Sequence, residues 1–342
     1  MSAGNFRSDD AIRVRNSLPH GRAMRYKCRG MSTVAFVMRR LLGAIPTLAL
    51  IVALSFLLTR LAPGGPFDEE QSLPPEIRAN LEAAYGLDQP VYVQFGRYVQ
   101  GLLHGDFGPS FKFRDFTVSE LIADGLPVSL AIGFAALLLA LAIGIPAGIL
   151  AALTRGSLAD RLVMTLAVAG ISVPVFVIAP LLMLVFGIWL RWLPVAGWVP
   201  GRPADLILPV VTLALPVIAY VARLTRGSLL ETLRATWIRA ARARGLPERT
   251  IILRHALPAA LLPVVSYFGP AAAAVLAGSL VVETLFGLPG MGRHLVQGAL
   301  NRDYTLVMGM VIVYAALMIL LNLLADLVYA WLDPRIHLER RS

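Results

Sequence analysis

Six long apolar runs constrain this chain before anything else does. They cover approximately Leu41–Thr59, Val128–Leu153, Leu162–Leu190, Leu206–Ala222, Ala256–Val282 and Thr305–Ala325, and none carries a charged residue in its middle. A hydrocarbon core of about 30 Å is crossed by roughly 17 to 25 helical residues, so each run is long enough to span a bilayer. In lipid every backbone N–H and C=O must find its partner within the segment, which selects helices for runs of this length. The chain is 57% hydrophobic and 15% charged over 342 residues, whereas a soluble domain is about a quarter charged. The expected fold class is an all-α polytopic membrane protein with six transmembrane helices. Gly and Ala in the second run allow close helix approach. Pro46, Pro146, Pro174, Pro180, Pro209, Pro216, Pro263 and Pro270 lie within runs and predict kinks supported by packed neighbours.

Charge then orients the chain. With the N-terminus on the cytoplasmic side, that side holds residues 1–40, 154–161, 223–255 and the C-terminal tail, which carry 22 of the 31 lysines and arginines. Ten of the 21 acidic residues fall in residues 60–127. The positive-inside bias predicts both termini in the cytoplasm. The net charge of +10 is therefore topological. Nucleic-acid binding is excluded as the reading, since it needs a basic face on a soluble domain.

The expected organisation follows. Residues 1–37 form a polar, basic tail without periodicity, with a compact second start at Met31; the first span is 38–59. Residues 60–127 form an outer segment, 128–330 the membrane core with a cytoplasmic loop at 223–258, and 331–342 a short tail. The run from Leu41 is too long for a signal peptide and lacks a small-residue cleavage site. In the outer segment, Pro74-Pro75 can open a helix over Glu76–Tyr85. Val91, Phe95, Tyr98 and Leu102 make an apolar stripe that predicts a second helix to Leu103. This small helical piece is a cap on the bundle, a docking surface for an extracellular partner, or both.

Chemistry-bearing motifs are few. Cys28 is the only cysteine, which rules out an intrachain disulfide framework. His20, His104, His255, His294 and His337 form no ligand pair, and there is no GxxxxGK[ST] phosphate loop. No catalytic residue, metal site or tightly bound cofactor is expected. Arg155 and Asp160–Arg161 mark a short cytoplasmic loop, and Asp303 is placed to cap the last span. Uncharged span interiors argue against an ion-coupled secondary transporter. A lipid-binding scaffold would leave the next feature unexplained.

That feature is RAARARGLPERTIILRHALP, Arg239 to Pro258. Glu231 to Arg244 reads as a helix, Gly245 as the left-handed residue past its end, and Pro247 as the first position of a second short helix. Two short helices would meet at a sharp corner. Its apolar residues Trp237, Ala240, Ala241 and Leu246 suit a groove on a partner, with arginines steering at the rim; lying on anionic headgroups is the alternative.

Ala240-Ala241, three residues, Gly245, nine residues and then His255-Ala256-Leu257-Pro258 resemble the EAA loop of ABC importer permeases. Arg239 stands where that pattern has glutamate, and His255 where it has an apolar residue; both resemble the dipeptide/oligopeptide/nickel branch. RRLLGAIPTLALIVALSFLLTRLAPGGPF, GLDQPVYVQFGRYVQGLLHGDFGPSF and VVETLFGLPGMGRHLVQGALNRDYTLVMG are similar to that branch's first span, periplasmic segment and last linker. The resemblance implies a non-enzymatic permease subunit in a bacterial cytoplasmic (inner) membrane. Its implied partners are a second homologous permease, two cytoplasmic ABC ATPases and a periplasmic or lipid-anchored substrate-binding protein. It also implies an ATPase-coupling loop of Trp237, Arg239, Ala240, Ala241, Arg244, Gly245, Leu246, Pro247, Leu257 and Pro258. Asp106, Glu283, Pro289 and Gly290 are candidates for an outer gate or a binding-protein dock. Turn chemistry is the simpler role for the glycines and proline of LFGLPGMG.

Overall fold

Among the described residues five helices are long and apolar enough to cross a membrane, and one sharply bent helix pair brings the number to six when it is counted as a single span. The computed structural model describes residues 33–61, 88–113 and 115–332. The helix expected at Glu76–Tyr85, the start at Met31 and the tail beyond Leu332 lie outside the described residues. In chain order the elements are α1 (Thr33–Leu61), α2 (Val91–Leu103), α3 (Val118–Leu153), α4 (Leu158–Ser172) and α5 (Val175–Leu182). α6 (Ala204–Leu233), α7 (Thr236–Ala243), α8 (Leu257–Phe286), α9 (Met291–Leu300) and α10 (Tyr304–Leu332) follow.

Helix starts obey local chemistry. α3 begins at Val118 because Thr117 and Glu120 form a capping box: Glu120 N–H donates to Thr117 Oγ1 at 3.2 Å and Thr117 N–H to Glu120 Oε2 at 2.7 Å. Its first ten residues, expected in the segment before the second span, therefore continue the same helix as that span. α2 matches the striped prediction, and its stripe docks on α1. The Phe95 ring meets Phe56 edge-on at 5.2 Å, and Tyr98 stacks on Phe56 at 6.3 Å. Burial without a hydrogen-bond partner pushes the Tyr98 phenol pKa up.

The third apolar run, Leu162–Leu190, carries the kink its prolines predict, but as a full break between two helices. The chain bends by 108° between α4 and α5. Val173 precedes Pro174, and the proline ring drives it out of the helical region to φ −89°, ψ 121°. A π-helix, Met183–Trp189, continues α5. Elsewhere helices run unbroken through Pro146, Pro209, Pro216, Pro263 and Pro270.

The core lies where α3, α6 and α8 meet. Ile132, Ala136 and Ala140 pack with Leu213, Val217 and Val221 and with Val275 and Phe286. A Cβ on Gly144 would stand 2.9 Å from Val221 Cβ, and one on Gly148 2.5 Å from the Ala222 carbonyl. Two glycines one turn apart thus let α3 and α6 touch backbone to backbone.

Candidate functional site

α6 runs past the expected end of its span at Ala222 as far as Leu233. The predicted helix over Glu231–Arg244 is instead broken at Arg234–Ala235, with Ala235 extended at ψ 148°. The break turns Ile238 of α7 into an apolar cluster with Ala152, Leu229, Ile251, Ala256 and Ala260, all nearly or fully buried. The elbow is thereby anchored to α3, α6 and α8 together.

The corner itself is a Schellman motif. Gly245 N–H donates to Arg242 O at 2.9 Å, Leu246 N–H reaches Ala241 O at 3.4 Å, and Gly245 takes φ +79°. Only glycine adopts that φ without strain. Arg242 Nε sits 3.1 Å from both Glu248 oxygens, a staple across the turn. The staple raises the Arg242 pKa. The second limb is not a short helix. Pro247 opens a rod that continues from Glu248 to Phe286, 39 residues. Leu257–Pro258 therefore lies inside the rod and not at the corner. Pro258 has no N–H for the Arg254 carbonyl, and the turn before it is wound as a π-helix, Ile251–Ala256.

The exposed side of the elbow gathers Trp237, Arg239, Ala240, Arg244, Gly245, Leu246 and Pro247. Ala241 and Leu257 are half-buried, and Pro258 is exposed further along. Trp237 keeps 45% of its surface and Leu246 39%, so both leave apolar area open on the outward side of the elbow.

One pair went unrecognised in the sequence. Asp160, at the start of α4, is buried and accepts two bonds from Arg226 of α6, at 2.6 and 2.8 Å, and one from Gly156 N–H at 2.9 Å. This bidentate clamp ties the 154–157 turn to the α6 extension that carries the elbow. In the sequence, Asp160–Arg161 and Arg155 mark only a short loop. The spacing of 66 residues between Asp160 and Arg226 gives no sequence signal.

At the opposite end, α8 closes on Gly287 at φ +66°. Leu288 N–H donates to Glu283 O at 2.9 Å, and Gly287 N–H to Thr284 O at 3.3 Å. Glu283 is fully buried. Its carboxylate accepts Gly292 N–H at 2.7 Å, while Ser129 Oγ accepts Met291 N–H at 2.9 Å. Both groups cap the first turn of α9. Gly290 is buried against Glu283 with no room for a side chain, and Pro289 is half-buried. A buried Glu283 and Gly290 have no surface to offer a dock. Asp106 does: it is exposed, in a turn where its carboxylate accepts Gly108 N–H at 2.8 Å. Asp303 caps α10 through Leu306 N–H at 3.2 Å and also holds Ser110, fastening residues 104–117 to the last span.

A helical bundle with a bent helix pair, an anchored basic elbow and a capped linker at its other end has the architecture of a multi-pass membrane protein. Residues 144–338 match the family described as binding-protein-dependent transport system inner membrane component. Residues 33–133 match that system's membrane component N-terminal region. The chain belongs to this family. It is 52% identical to the oligopeptide transport system permease protein OppB of Salmonella typhimurium over 301 residues, 88% of this chain and 98% of that protein. It is 39% identical to the dipeptide transport system permease protein DppB of Bacillus subtilis over 307 residues, 90% and 99% of the two chains. Among solved structures, an inward facing form of the MetNI methionine ABC transporter aligns with TM-score 0.52 at 21% identity, over 62% of this chain and 96% of that one. That likeness concerns the fold.

Proposed function

We propose that this chain is one membrane-spanning half of an ATP-driven importer for di- or oligopeptides or a related small solute. A second similar permease, two cytoplasmic ABC ATPases that hydrolyse the ATP, and a periplasmic or lipid-anchored substrate-binding protein complete it. The elbow carries the reading. Trp237, Leu246 and the arginines face outward while Ile238 and Ile251 fix them to three spans, which is the arrangement a partner's groove needs to move the bundle. The concentration of lysine and arginine at the elbow end supports placing that end, and both termini, in the cytoplasm of a bacterial inner membrane. Residues 88–117 with Asp106 then face the binding protein. Peptides are favoured as cargo by the similarity to oligopeptide and dipeptide permeases along nearly their whole length.

Gly245→Val tests this in vesicles containing the whole importer. The expected outcome is normal insertion with lost ATP-dependent uptake and weakened retention of the ATPase subunits. Normal uptake together with normal ATPase association sinks the coupling role. Uptake driven by an ion gradient without ATP would replace it with the secondary-transporter reading.

A further inference from the structure

α1 stands at the edge of the bundle. Leu42, Ile45, Leu50, Leu54 and Leu58 along it are exposed, an apolar surface suited to acyl chains. Near its N-terminal end the character changes. There α1 and α10 line a cavity of about 590 Å³, within the range of small-molecule sites, about 300–1,000 Å³. Arg39 and Arg40 stand where the apolar run begins, and Arg40 Nη2 pairs with Asp326 Oδ2 of α10 at 2.9 Å. About one turn further into the span lie Gly43 on α1 and Asn322 on α10; Leu41, Ala44 and Leu323 supply an apolar wall. Thr47 Oγ1 donates to Gly43 O at 3.0 Å. Among the described residues neither Arg39 nor Asn322 makes a hydrogen bond or an ion pair. A Cβ on Gly43 would meet nothing within 4 Å, so there is room beside it.

A guanidinium and a carboxamide at the edge of an apolar run, set over an apolar wall, suit an amphiphile better than a wholly polar solute. We infer that this α1–α10 cavity binds an anionic phospholipid, with its phosphate on Arg39 and Arg40 and its first acyl carbons along Leu41, Ala44 and Leu323. Guanidinium groups meet phosphate oxygens with paired N–H donors, and basic pockets between spans take acidic headgroups. The sign of the charge selects the occupant. Two arginines against one aspartate leave the cavity cationic. The 32 residues before Thr33 carry seven basic and two acidic side chains, so that segment is repelled by the cavity and drawn to the same acidic surface. Arg40 shares its charge with Asp326, which leaves Arg39 as the stronger phosphate ligand. A lipid held there bridges the exposed α1 to the last span. Its place in the inner leaflet rests on the orientation proposed above; the contact itself does not.

The test is native mass spectrometry of the complete importer, purified in detergent and titrated with phosphatidylglycerol or phosphatidylcholine. Phosphatidylglycerol is expected to bind this chain about tenfold more tightly than phosphatidylcholine. Arg39→Gln is expected to weaken phosphatidylglycerol several-fold. Gly43→Leu, which fills the cavity without touching its charges, should do the same. Asp326→Asn should tighten it, because Arg40 is then released to the phosphate; damage to the fold does not give that sign. Arg161→Gln removes an exposed charge from α4, outside the cavity, and should change nothing. Equal affinity for the two lipids overturns the site. So does an equal loss in Arg161→Gln and Arg39→Gln, which is diffuse attraction to basic surface. Unchanged binding in both Arg39→Gln and Gly43→Leu overturns it as well. Displacement of phosphatidylglycerol by an equal concentration of inorganic phosphate overturns the lipid in favour of a free anion.

Discussion

Two Gly-Leu-Pro corners flank the rod, at 245–247 before it and 287–289 after it. Their backbones are nearly the same: a left-handed glycine, a bond from the leucine N–H five residues back, and one from the glycine N–H three residues back. Their surroundings are opposite. Leu246 keeps 39% of its surface, whereas Leu288 keeps none. The first corner has nothing beyond it; the second is enclosed by α9, whose first turn is capped by Glu283 and Ser129. A third Gly-Leu-Pro, 125–127, makes no corner at all and lies inside α3. The tripeptide permits a turn; burial decides whether the turn is locked into the fold or left open at its surface.

The largest expected effect falls on the buried corner. Leu288→Ala should cost about 2–5 kcal/mol by opening a cavity in the core, measured as a lower Tm of the purified complex. A smaller loss than Leu246→Ala would break the comparison. Asp160→Asn should come next, lowering Tm by several degrees, because Arg226 loses its bidentate partner and Gly156 N–H an ionised acceptor. Gly245→Val should strain the exposed corner by about 1–2 kcal/mol yet abolish coupled uptake; Gly245→Asn, better tolerated in the left-handed region, should keep most of it. Leu246→Ala should change stability by less than about 0.5 kcal/mol while weakening ATPase binding in a titration. Arg242→Ala should leave Tm unmoved, since the Glu248 staple is exposed.

Much of this was legible in the residues. The stripe from Phe95 to Leu102 announced a helix, Asp303 announced a cap, and Gly245 and Pro247 announced a corner, because each is governed by neighbours within one turn. What was not legible depends on distant partners. Eight prolines inside spans looked alike, yet the sharp bend occurs at Val173–Pro174, where α4 and α5 diverge. Hydropathy ended the fourth span at Ala222, before Arg223. The helix continues because Arg226 meets Asp160, a residue on another helix. The break at Arg234–Ala235 has no marker in its own sequence either, since what fixes it is the cluster that receives Ile238. Glu283 showed only that it stood near a turn. Its burial, and hence its role as a cap and not a dock, came from Gly290 and Gly292 folding back over it.

The unbroken rod between the two corners has a geometric consequence. Glu248–Phe286 is 39 residues, about 58 Å of helix. If the elbow end is the driven end, a tilt of only about 5° sweeps the far end through an arc of about 5 Å at that length. The Met291 to Ser129 bond, at 2.9 Å, does not survive a displacement of that size. The stroke available at the far end is then fixed by radius and angle, so shortening the rod should reduce it in proportion even if every contact at both corners is kept.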